Sequence, residues 1–125
     1  NTALAGHVHI GDWAILSGFT LVHQYCHIGA HSFTGMGTAL GKDLPAYVMA
    51  NGNPAEAKSI NAEGLRRRGF DKSEVASIQK AFKLLYRRGL TLGEALAELE
   101  PMVADCRALE VMVDSIRSSS RGIVR

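Results

Sequence analysis

From Trp13 to Gly41 the chain holds no Asp, Glu, Lys or Arg. A run of that length is enough to cross a bilayer, but it is filled with Gly, Ser, Thr, His and Gln, which excludes a membrane span. Basic residues are equally scarce early on: Lys42 is the only Lys or Arg before Lys58. Recognition of an anionic partner therefore belongs to the second half, although the net charge is only +2. The two cysteines, Cys26 and Cys106, are far apart and have no paired spacing. That pattern excludes a disulfide framework and reads as free thiols in a reducing cytoplasm. There is no signal-peptide pattern and no initiator Met, so the opening at Asn1 reads as a chain taken from something longer. What remains is a chain of one ordinary domain, 46% hydrophobic and able to build a core.

The uncharged run is not featureless. Written in sixes from Leu4, the chain reads LAGHVH, IGDWAI, LSGFTL, VHQYCH, IGAHSF, TGMGTA, LGKDLP. The first column is Leu4, Ile10, Leu16, Val22, Ile28, Thr34 and Leu40, and the fifth is small, from Val8 and Ala14 to Ser32 and Thr38. A hexapeptide period of this kind marks a parallel β-helix. Three hexapeptides make one triangular coil, so residues eighteen apart stack as neighbouring strands. The first column should fill the interior. The sixth should face outward, stacking Ile15 with Phe33, Leu21 with Ala39 and His9 with His27. Outward apolar ladders, reinforced by Trp13, Phe19 and Tyr25 of the fourth column, call for a covering subunit.

Pro45, Gly52, Asn53 and Pro54 break the period, which places the β-helix at residues 1–57 and a helical domain at 58–125. INAEGLRRRGF reads as a short helix closed by Gly69. Asp71 and Glu74 form one capping box and Thr91 and Glu94 another. The first of these helices buries Val75, Ile78, Phe82 and Leu85 and stops at Gly89. Pro101 ends or kinks the second. A last helix carries Leu109, Met112, Val113 and Ile116, with SSSRG as its frayed end.

Hexapeptides that lead into NTALAGHV, VHQYC, GAHSF, INAEGLRRRGF, LLYRRG and a closing RGIVR resemble the UDP-N-acetylglucosamine O-acyltransferases of lipid A biosynthesis. The resemblance spans the whole chain but only the C-terminal half of such an enzyme. It implies a left-handed coil and a homotrimer with sites between subunits. It also implies transfer of a 3-hydroxyacyl group from acyl carrier protein to the 3-hydroxyl of UDP-N-acetylglucosamine, with no metal and no cofactor. A histidine general base would deprotonate that hydroxyl. The family places this base in an H-x-x-H-D motif one coil upstream of His7, and no such motif occurs in these 125 residues.

By the same resemblance His7 and His23 line the cleft, Gln24 lies near the acyl and sugar groups, Asn61 and Glu63 hold the uridine, and Arg67 and Arg68 hold the diphosphate. Read from the residues alone, His7 and His23 are polar corner positions. The Arg66 to Arg68 run alone is a solvated face, a nucleic-acid patch or a phosphate clamp. The absence of interleaved aromatics and the modest net charge weigh against nucleic acid. Lys80, Lys83, Arg87 and Arg88 gather on one side of a helix, a plausible docking strip for an acidic carrier protein. Met36 is the bulky exception in a third column of Gly6, Asp12, Gly18, Gln24 and Ala30. The resemblance makes that position the floor of a hydrocarbon ruler, so Met36 favours a shorter donor. Stacked His9 and His27 would offer two ligands to a metal shared across a trimer, without an evident third. His31 has no role of its own in this reading. Another hexapeptide-repeat acyltransferase and a non-catalytic trimeric binding module remain open at this point.

Overall fold

The computed structural model describes all 125 residues. Two-residue strands recur every six positions: β1 (Ala3–Leu4), β2 (His9–Ile10), β3 (Ile15–Leu16), β4 (Leu21–Val22), β5 (His27–Ile28), β6 (Phe33–Thr34) and β7 (Ala39–Leu40). They stack in parallel on three faces, with Ala3 opposite Leu21 and Leu21 opposite Ala39, His9 opposite His27, and Ile15 opposite Phe33. The eighteen-residue coil is thus observed directly in the register.

Why the fifth column is small is visible at the corners. The hydroxyls of Thr20, Ser32 and Thr38 fold back onto the carbonyls of Ser17, Gly29 and Gly35 at 2.6, 2.7 and 2.6 Å. They fill the interior of each turn and satisfy an oxygen that the strand ladders leave over. The fourth column does something the period alone does not reveal. His7, Trp13, Phe19, Tyr25 and His31 all have φ between 58 and 66°. Each is the left-handed residue of its turn, a conformation that bulky side chains adopt only under constraint.

In the first column Val22, Ile28, Thr34 and Leu40 are buried, and Leu16 is half-buried. Leu4 and Ile10 correct the expectation, at 49% and 39% exposure. They belong to the terminal coil, stacked on one side only, so their inward-pointing side chains remain open to solvent from the other.

The coil after β5 is two residues short. Ile28 bridges to Leu44, and β8 (Val48–Asn51) pairs with β6 with Phe33 opposite Met49. β9 (Glu56–Ile60) then runs antiparallel to β8. Strand structure therefore persists to Ile60, past the boundary expected at residue 57. The helices follow as α1 (Ala62–Arg67), α2 (Lys72–Arg87), α3 (Leu92–Leu99) and α4 (Leu109–Arg117), with a 3-10 turn at Glu100–Ala104 where Pro101 interrupts. Both capping boxes are formed.

One continuous apolar core joins coils and helices, from Val22, Ile28 and Leu40 through Tyr47 to Phe82 and Met112. Polar contacts pin the same seam: Tyr47 Oη donates to the Ala108 carbonyl at 2.6 Å, and the Ala46 N–H donates to Ser115 Oγ at 3.0 Å. α4 ends at Arg117, where the SSSRG segment begins, and the chain beyond that segment returns to the core. Ile123 and Val124 are buried, Ile123 bridges to Asp43, and Tyr86 Oη donates to the Val124 carbonyl at 2.8 Å. No helix is long and apolar enough to cross a membrane.

Candidate functional site

The end of β9 delivers the chain to Asn61, and Asn61 sets the direction of α1. Its backbone N–H donates to the Tyr47 carbonyl at 2.7 Å, and its Nδ2 donates to the His31 carbonyl at 3.0 Å. Its Oδ1 accepts the Gly64 N–H at 3.3 Å, capping the helix. The side chain expected to hold a uridine is therefore, in this structure, buried and engaged in fastening α1 to the coil corner.

From that start one helical turn sets out the charges. Glu63 pairs with Arg66 at 3.4 Å and with Arg67 at 3.2 Å. All three groups are largely solvated, so these pairs are weak and readily exchanged for another anion. Arg68 forms no ion pair; its guanidinium carbon lies 4.1 Å from the centre of the Trp13 ring. Trp13 and His31 occupy one corner on successive coils. His31 stacks on Tyr47 at 5.8 Å and meets the edge of Phe70 at 5.1 Å. Burial first, and the Arg68 charge second, lower the His31 pKa from its ordinary value. Burial pushes the Tyr47 phenol up to about 12, keeping it a donor.

Together Trp13, His31, Asn61, Glu63, Arg67 and Arg68 border a cavity of about 430 Å³, with an apolar floor that includes Phe33. Such a space, with guanidinium donors on one wall, one of them resting on an aromatic ring, and an apolar floor, suits a ligand that carries phosphate beside less polar groups.

The other expected residues lie elsewhere. His7, His23 and Gln24 share a second corner, where His7 stacks flat on Tyr25 at 4.7 Å and 5°. His23 borders an open groove of about 590 Å³ along the face of β1, β4 and β7. Met36 stands on the third corner, 77% exposed. A single chain thus gathers only the Asn61, Glu63, Arg67 and Arg68 group. On α2, Lys80, Lys83 and Arg87 are exposed and free of ion pairs, and Arg88, also exposed, lies 3.3 Å from Glu98 of α3. His9 and His27 stack at 4.7 Å, and no third His, Cys, Asp or Glu joins them in a metal-binding group.

Trp13 and His31 were legible only as an outward apolar and a histidine without a role. Their eighteen-residue spacing was the signal that put both on one corner; that α1 returns to this corner was not readable.

A family model described as UDP-N-acetylglucosamine O-acyltransferase, domain 2, matches residues 43–124, the stretch that holds Asn61, Glu63, Arg67 and Arg68. The chain belongs to this family. UDP-N-acetylglucosamine O-acyltransferase relatives extend over its full length. An acyl-[acyl-carrier-protein]–UDP-N-acetylglucosamine O-acyltransferase of Pseudomonas fluorescens Pf-5 is 64% identical over 125 residues, which are 100% of this chain and 48% of the relative. Among solved structures, the UDP-N-acetylglucosamine O-acyltransferase of Moraxella catarrhalis superposes with a TM-score of 0.97 at 43% identity, covering 100% of this chain and 49% of that one. A structure from Acinetobacter baumannii gives 0.96 at 42% identity, with the same coverage. The chain spans about half the length of the O-acyltransferases it matches.

Proposed function

We propose that this chain contributes the C-terminal half of a cytoplasmic homotrimeric O-acyltransferase. The enzyme would move a 3-hydroxyacyl group from acyl carrier protein to the 3-hydroxyl of UDP-N-acetylglucosamine, at the start of lipid A biosynthesis. The observation that carries the reading is the cavity that Arg67 and Arg68 line beside Asn61, Glu63 and the Trp13 ring, in a chain 64% identical to a named O-acyltransferase.

In this reading the coils form a left-handed parallel β-helix, and Arg67 and Arg68 take the diphosphate, Arg67 leaving Glu63 as it does so. Glu63 is then free to accept hydrogen bonds from the uridine, while Asn61 holds α1 in register and turns its remaining amide capacity toward the same group. A histidine outside these 125 residues removes the proton of the sugar hydroxyl. The oxygen attacks the thioester carbonyl, and collapse of the tetrahedral intermediate expels the carrier thiolate, which takes up a proton. His7, His23 and Gln24 support the reacting groups from their corner. Met36 closes the acyl groove, and Lys80, Lys83 and Arg87, with Arg88, receive the acidic carrier.

Assembly resolves why these parts sit on three corners: in a trimer the corner of one subunit faces the cavity of the next. Exposed Ile15 and Leu21, in ladders with half-buried Phe33 and Ala39, support such contacts, since apolar faces of this kind are costly in water. Free, buried Cys26 and Cys106 fit a reducing compartment.

The test is calorimetric titration of the purified chain with UDP-N-acetylglucosamine, alongside a turnover assay with 3-hydroxyacyl carrier protein. Saturable binding that Arg68→Ala weakens, with turnover lower than that of a full-length relative by about 10²–10⁴-fold for want of the base, is the expected result. Binding unaffected by Arg68→Ala overturns the cavity assignment, and near-normal turnover overturns the assignment of the base.

A further inference from the structure

Arg68 differs from the two arginines before it in what it touches. Arg66 and Arg67 are tied to the Glu63 carboxylate at 3.4 and 3.2 Å. Arg68 has no ion pair and lies over the Trp13 ring, its guanidinium carbon 4.1 Å from the ring centre. The platform is a stiff one. Trp13 is the left-handed residue of its corner, at φ 62°, and the strands on either side of that corner, β2 and β3, are locked into parallel ladders. A guanidinium that rests on an aromatic face keeps its N–H donors in its own plane, where none is consumed by the contact. A carboxylate partner would occupy those same donors. One coil along, His31 lines the same cavity with its ring against Tyr47 and Phe70, and it makes no hydrogen bond to Arg68.

We propose that Trp13 is a positioning residue: it holds the Arg68 guanidinium over its ring, so that the N–H edge is presented, unpaired, to the anionic part of the ligand in the cavity. This rests on the reading of the cavity as a sugar-nucleotide site. Trp13 acts through Arg68, and the ligand base does not stack on it.

The experiment titrates the chain with two probes, UDP and inorganic pyrophosphate, by calorimetry. Circular dichroism confirms the fold of each variant. Trp13→Leu is expected to weaken both probes by a similar factor, about three- to tenfold as for loss of a partly exposed cation–π contact. Trp13→Phe is expected to restore most of the affinity, because a ring remains. In an Arg68→Ala background Trp13→Leu should have no further effect. In parallel, the Arg68 Nε–H resonance, shifted by the ring current of Trp13, should move toward its solvent value in Trp13→Leu.

Loss of affinity for UDP alone, with pyrophosphate unchanged, would mean that Trp13 stacks on the base and overturns the proposal. So would an undiminished effect of Trp13→Leu in the Arg68→Ala background, or an Arg68 resonance indifferent to Trp13. If Arg68→Ala binds both probes as well as the parent chain, or if the parent binds neither, the cavity assignment fails instead. In that case the resonance alone decides whether Trp13 orients Arg68.

Discussion

The carboxylate of Asp43 accepts the backbone N–H of His27 at 2.8 Å, and this bond closes the one coil that is two residues short. The shortened corner cannot present a strand carbonyl at that point, so a side chain takes its place. Asp43 also holds the chain end, its N–H donating to the Gly122 carbonyl at 3.1 Å and its carbonyl accepting the Val124 N–H at 2.8 Å. Asp43→Ala is expected to lower the unfolding free energy by about 1 kcal/mol by leaving the partly buried His27 N–H without its acceptor. Asp43→Asn, which keeps an acceptor, should lose less. Urea denaturation of the two variants checks the order, and equal losses would refute the role of the acceptor.

Gly64 sits within α1 where an alanine would ordinarily improve helix propensity by about 1 kcal/mol. A Cβ at this position would instead run into the side-chain amide of Asn61, about 2.9 Å from its Cγ. Gly64→Ala should therefore destabilise, displacing Asn61 from the His31 carbonyl and loosening the cavity wall. Thermal melts and titration with UDP-N-acetylglucosamine should show a lower Tm and weaker binding. A stabilised, equally tight variant would show that Asn61 is free to move.

The left-handed corners make a prediction that runs against residue size. Phe19 is exposed and held at φ 61°. Asn tolerates this conformation and β-branched residues do not. Phe19→Asn should be neutral or stabilising by up to about 1 kcal/mol, and Phe19→Val destabilising by about the same amount. A melting series that ranks Val above Asn would show that the left-handed backbone does not set the order.

His31 predicts the direction of an acid effect. Burial, then the Arg68 charge, lower its pKa from 6.5, with Asp12 opposing. The folded chain then binds fewer protons at this ring than the unfolded chain does just below pH 6.5, so stability rises with pH across that window. The contribution of the neutral ring is whole above about 6.5 and is lost as the pH falls toward the lowered folded value. In His31→Asn, a residue that accepts the φ of 58°, Tm should fall less between pH 6.5 and 5 than in the parent. Equal slopes would mean that His31 does not titrate differently on folding.

How much of this was readable in advance divides along a physical line. The hexapeptide period is a local instruction repeated many times, because each unit specifies the same strand, turn and inward aliphatic whatever lies elsewhere. It foretold the faces, the eighteen-residue register and the stacking of His9 on His27 and Ile15 on Phe33. Capping boxes at Asp71 and Thr91 are likewise decided within four residues. The Arg66 to Arg68 run and Asn61 were visible as chemistry, although not as a place.

The places came from the tertiary structure. That Arg68 lies on Trp13, that Asn61 is fastened to His31, and that Asp43 joins His27 to Ile123 depend on where α1 and the chain end return to the coils. Those returns are set by burial of one shared core, in which Tyr47 packs and donates to Ala108 and Val124 accepts from Tyr86. The sequence by itself determined the coil and the helices, since both are written in short-range spacing and caps. Only the packed chain decided the cavity, because contacts between residues far apart leave no period to read.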